Sequence, residues 1–117
     1  MTSKILHLAF TETEQHYKRL GILYTDGVKY LADECKAYWL IDAIASWQIS
    51  PKIKDDPMLR EIQFWNLQVR PDSSAVLTCE RDKDDIALTQ EIEYTDFPLK
   101  NVRLYLTNHV LMLPSEY

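Results

Sequence analysis

The stretch Glu61–Val69, EIQFWNLQV, decides how the rest of the chain is read. Trp65, Leu67 and Val69 alternate with Asn66 and Gln68, the period-two signature of a half-buried strand. Upstream, apolar residues recur at three- and four-residue spacings instead. The change of rhythm falls around Leu59–Phe64 and predicts helices before it and strands after it. Ile62, Phe64 and Trp65 put bulky groups on both sides of the strand's start, so either helices wrap over that end or a partner covers it.

Downstream the alternation continues. Ala75, Leu77 and Cys79 alternate with Thr78 and Glu80; Ile86, Leu88, Ile92 and Tyr94 with Thr89, Glu91 and Glu93; Val102, Leu104 and Leu106 with Arg103, Tyr105 and Thr107. The connections RPDSS (70–74), RDKDD (81–85) and TDFPLKN (95–101) are turn-like, and short links favour an antiparallel meander. Asn108–His109 suits a two-residue hairpin turn into a fifth strand from Val110, stopped by Pro114; a strand running on through Leu113 is the alternative.

Upstream, Thr11 and Glu14 form a capping-box pattern and Gly21 offers a left-handed stop, which predicts a helix between them with Tyr17 and Leu20 facing inward. Thr25 or Asp26 is placed to cap the next helix, with Asp26 favoured, and Val28, Leu31, Ala32 and Cys35 follow at helical spacing. In AYWLIDAIASW (37–47) the inner stripe of Leu40, Ile41, Ile44 and Trp47 is rotated away from the preceding stripe, so a break near Lys36 is expected. Pro51 and Pro57 are expected to end helical structure, leaving SPKIKDDPM (50–58) as a loop. The expected fold is α+β: one domain over 1–117, with N-terminal helices packed on one face of a C-terminal four- or five-stranded antiparallel meander.

The composition is that of a soluble globular chain, 46% hydrophobic and 26% charged, and the 117 residues suit one core. A net charge of −5 argues against direct nucleic-acid binding, which needs a basic face. With two glycines, phosphate loops and dinucleotide fingerprints are excluded. Cys35 and Cys79 sit in apolar patterns and read as buried thiols. Neither a secretory signal nor an apolar run long enough to cross a membrane is visible, so the cytoplasm is the expected compartment.

Tyr-Thr-Asp occurs twice, at 24–26 and 94–96. The two copies suggest separate local uses, one at a helix entrance and one where Asp96 orders a turn before Pro98. Asp42 lies inside the most apolar helix, on a face shared with Tyr38 and Trp39, which is either a solvent stripe or a recognition surface. Binding residues are therefore expected at Tyr38, Trp39 and Asp42, with Tyr24, Tyr94 and Tyr117 as secondary candidates. Convergence of Asp26, Asp42 and Asp96 on a hard cation, as in a small metal-dependent hydrolase, is the alternative. Glu12 and His16 at i, i+4 lack a third ligand, His7, His16 and His109 are scattered, and Glu91 and Glu93 suit a solvated strand face. No catalytic residue, metal ligand or cofactor is assigned.

The blocks YTDGVKYLA (24–32), AYWLIDAIAS (37–46), YTDFPL (94–99) and LPSEY (113–117) resemble those of an uncharacterised family of small bacterial proteins, a domain of unknown function found also on mobile elements. The resemblance runs from about Thr11 to Tyr117. In the family pattern Asn-Gly often precedes the last apolar run, where this chain has Asn108-His109. The resemblance implies no activity. Mobile-element association fits a regulatory or anti-defence role, and the expectation is a non-enzymatic interaction module with a protein partner or a second copy of itself.

Overall fold

The short helix Pro57–Glu61 passes without a linker into the strand Ile62–Val69, so helix gives way to sheet where the apolar period changes. The computed structural model describes residues 15–117. In chain order the elements are β1 (His16–Arg19), β2 (Ile22–Thr25), α1 (Asp26–Cys35), α2 (Tyr38–Trp47), α3 (Pro51–Lys54), α4 (Pro57–Glu61), β3 (Ile62–Val69), β4 (Ala75–Asp82), β5 (Asp85–Ile92), β6 (Asn101–Thr107), β7 (Val110–Met112) and a 3₁₀ turn at Pro114–Glu116. The fold is mixed α and β as expected, but the sheet has seven strands rather than four or five.

Two of the additional strands lie before α1: β1 falls in the segment predicted to be a helix, and β2 follows the expected stop at Gly21. Leu20 and Gly21 have φ of 50° and 90°, and antiparallel pairing joins Tyr17 to Tyr24 and Arg19 to Ile22. A glycine with positive φ serves a helix stop and a hairpin turn equally well, so Gly21 carries no information about which one it ends. The pairing of Tyr17 with Tyr24, ring centroids 5.5 Å apart, favours the strand. Leu20 is exposed at the turn instead of facing inward. The Thr11–Glu14 capping box lies outside the described residues.

The strand order is β1-β2-β7-β6-β3-β4-β5, which corrects the meander. Strands β3, β4 and β5 are joined by hairpins, but β6 pairs with β3 on the far side from β4, giving the order 6-3-4-5 of a Greek key. Eight residues (93–100) link β5 to β6. Fully extended they reach roughly 26 Å, ample to cross three strand spacings of about 4.8 Å. This connection is tied down by Thr95 N–H donating to the Ser73 carbonyl and Val69 N–H to the Lys100 carbonyl. Strands β6 and β7 form the hairpin expected at Asn108–His109, whose φ values are 51° and 62°. Among the described residues one strand pairing is parallel, β2 with β7, and it attaches the first hairpin to the rest.

The helices pack on one face of the sheet. Trp65, Leu67, Leu77, Cys79, Leu104 and Leu111 project from the strands into the core, against Val28, Leu31, Leu40, Ile41, Ile44 and Leu59 of the helices. The expected break falls at Lys36, which has φ 52° and closes α1. The prolines act differently from expectation. Pro51 and Pro57 start α3 and α4, each just after a residue whose side chain caps the helix, Ser50 and Asp56. Proline is favoured at the first helical position, where its missing N–H costs nothing. Among the described residues no helix is long and apolar enough to cross a membrane.

Candidate functional site

Three of the residues picked from the sequence meet where α1, α2 and the first hairpin join. The Tyr24 ring is buried and meets the edge of Tyr38, centroids 6.4 Å apart. Arg19 lies over the Tyr38 ring at 5.0 Å and donates from Nε and Nη2 to both carboxylate oxygens of Asp42. The Tyr38 hydroxyl donates to Asp33, which Lys29 also holds across one helical turn. That bond, with burial second, pushes the Tyr38 phenol well above its ordinary value, while Lys29 and Tyr38 hold the Asp33 carboxyl below its own. Trp39 is half-buried against the core. The cluster is therefore closed internally: the groups of Tyr38 and Asp42 that could recognise a partner already bind neighbours.

Tyr94 and Tyr117 lie elsewhere. Tyr94 is exposed on the Greek-key connection. Tyr117 extends an aromatic chain on the sheet face away from the helices. Its ring meets Tyr105 edge-on at 5.5 Å, and Tyr105 meets Phe64 at 5.0 Å. Arg103 stands 5.5 Å from the Phe64 ring and 5.9 Å from the Tyr105 ring, and donates to Glu80. Trp65 points the other way and is covered by helices, so the bulky start of β3 splits between core and open face. Tyr105 and Arg103 were read only as the polar half of an alternating strand. A tyrosine, an arginine and a phenylalanine on outward positions of paired strands is the signal that could have found this patch.

The aspartates do not form one centre. Asp26 accepts from the Tyr17 hydroxyl at 3.1 Å and from Gln15 N–H, Asp42 holds Arg19, and Asp96 is exposed on the distant connection. Among the described residues no group of three His, Cys, Asp or Glu is arranged to hold a metal ion. His16 sits exposed on β1, His7 and Glu12 lie outside the described residues, and Glu91 pairs with Arg70. Cys35 and Cys79 are buried and unbridged, and burial pushes the Cys79 thiol up to about 12.

Both Tyr-Thr-Asp copies turn on the threonine rather than the aspartate. Thr25, not Asp26, caps α1 by accepting from Val28 N–H. Thr95, not Asp96, accepts from Phe97 N–H and orders the turn. The first copy also meets LPSEY. Glu116 accepts from the Thr25 hydroxyl at 2.6 Å and from the N–H groups of Gly27 and Leu113. Leu113 and Glu116 come so close that a Cβ on Gly27 would lie 2.6 Å and 2.7 Å from their side-chain atoms. Two blocks nearly ninety residues apart in sequence thus form one joint.

Neither the curated proteins nor the solved structures yield a match to this chain. The model of a family of unknown function, DUF6876, matches residues 6–117, nearly the whole length, and the chain belongs to that family.

Proposed function

We propose that this chain is a small non-enzymatic interaction module that engages a protein partner through the open face of its sheet. The observation that supports this is the Phe64–Tyr105–Tyr117 chain with Arg103 set over two of its rings. Aromatic side chains and arginine dominate binding hot spots because they bring large contact area at small entropic cost. A regulatory or anti-defence role in a bacterial cytoplasm, on a mobile element, is the setting we propose for such a module. A second copy of the chain is the first partner to test. Sedimentation of the purified protein across a concentration series should show self-association, and Tyr105→Ala with Tyr117→Ala should abolish it while leaving the melting temperature close to that of the parent. If the protein remains a monomer, capture of a partner from the host should depend on the same two residues. Capture that is indifferent to the double substitution refutes the assignment.

A further inference from the structure

Between α3, α4 and the β6–β7 turn lies a cleft of about 400 Å³, lined in part by Ile53, Lys54, Leu59, Arg60, Asn108 and His109. Its floor is rigid. The buried amide of Gln63 exchanges hydrogen bonds with Gln48 in both directions at 2.8 Å, donates to the Leu59 carbonyl and accepts from the Trp65 indole. Every polar atom of that floor is internally engaged, so recognition falls to the rim.

The rim is basic in a chain whose net charge is −5. Lys54, Arg60 and His109 line the cleft, and among the described residues no carboxylate does; Asp55 and Glu61 flank the cations in sequence but lie outside the lining. Of the five arginines, four are held by carboxylates: Arg19 by Asp42, Arg70 by Glu91, Arg81 by Asp56 and Asp85, and Arg103 by Glu80. Among the described residues Arg60 is the one arginine with no ion pair, and it is the one at the cleft. His109 adds a second indication. It occupies a turn position with φ 62° where glycine is the favoured residue, so its imidazole is placed at the cleft against backbone preference.

We propose that this cleft binds a small organic phosphate. The phosphate is held at the rim by the Arg60 guanidinium and the Lys54 ammonium, with the Asn108 amide and the His109 ring supplying further N–H donors. The organic part lies on Ile53, Leu59 and Leu106. The volume falls in the range of ordinary small-molecule sites. This site is on a different part of the molecule from the open sheet face, so either assignment can fail alone.

The test is a titration of the ¹⁵N-labelled full chain with inorganic phosphate, ribose 5-phosphate, adenosine 5′-monophosphate and uncharged adenosine, read by amide shifts. Saturable shifts at Leu59–Gln63 and Thr107–Val110 are expected with the phosphorylated probes, and none with adenosine. Arg60→Gln and Lys54→Gln should each weaken binding by roughly 10-fold or more, since each removes a charge-assisted contact. Lys36→Gln, which removes an exposed lysine at the α1 terminus, should change nothing. Both cleft cations are exposed, and an unchanged melting temperature verifies that the variants fold. Equal binding of adenosine, retention of affinity in Arg60→Gln, or absence of localised shifts with all three phosphorylated probes overturns the proposal.

Discussion

Gly27 shows how one residue can be set by its neighbours rather than by its own element. It lies within α1, where alanine would ordinarily favour the helix by about 1 kcal/mol. Here a Cβ would collide with Leu113 and with the Glu116 carboxylate, which is already committed to Thr25 and the Gly27 N–H. Overpacking of this kind costs about 1–3 kcal/mol. Gly27→Ala should therefore lower the urea midpoint instead of raising it. In a Glu116→Ala background the same substitution should do less harm, because half of the obstruction is gone. A stabilising Gly27→Ala would show that the joint between YTDG and LPSEY yields freely. Residue identity alone carried half of this: the capping potential of Thr25 or Asp26 was legible, but the choice between them was not. Both can accept from the same N–H groups, and Asp26 is drawn instead toward Tyr17 on a strand that the pattern did not reveal.

At the scale of elements, the short helix α4 depends on Asp56, whose carboxylate caps Met58 and Leu59 and also receives Nε of Arg81 on β4. The Arg81 bond, and then the two capping N–H groups, hold the Asp56 carboxyl below its ordinary value. A carboxyl lowered in the folded state contributes stability that is present above the unfolded aspartate pKa, ~3.9, and is lost as pH falls through the folded value. Asp56→Asn keeps the capping oxygen and removes the charge. It should lower the melting temperature at pH 7, and the gap from the parent should shrink as the pH is taken below about 3.9. A gap that is the same at both pH values would mean that the charge contributes nothing. The elements themselves were legible wherever an apolar face spans two turns or four alternating positions, as in α1, α2, β3, β4 and β6. The short elements β1, β2, α3 and α4 were illegible, whereas the three-residue β7 was marked by the turn at Asn108–His109 ahead of it. His16–Arg19 is four residues long, and its strand character comes from pairing with Ile22–Thr25 rather than from its own pattern.

For the whole molecule, the core is one cluster that runs from Ile22 on β2 to Leu113 after β7, and Cys79 belongs to it on β4 with no exposed surface. With its thiol pushed up to about 12 and buried from solvent, Cys79 should resist a thiol-reactive dye in the native protein and react at the rate of global unfolding when urea is added. Rapid labelling of Cys79 in buffer would show that the β3–β4–β5 half opens on its own. The alternation of apolar residues is a local property. It identified the strands of the second half, the inward faces of β3, β4 and β6 and the hairpin at Asn108–His109, because side-chain direction repeats every two residues regardless of what lies alongside; in β5 an irregularity in the pairing with β4 leaves Ile86 exposed instead of facing inward. Strand order is not local. Whether β6 lies beside β5 or returns to β3, and whether Ile22–Thr25 joins the sheet beside β7, depends on which pairings best bury the apolar faces of the helices and satisfy the sheet edges, and no spacing along the chain encodes that choice. The same holds for the surfaces. Which tyrosines are buried in a closed cluster and which stand on the open sheet face was settled by packing in three dimensions, since an aromatic residue looks the same in sequence on either side.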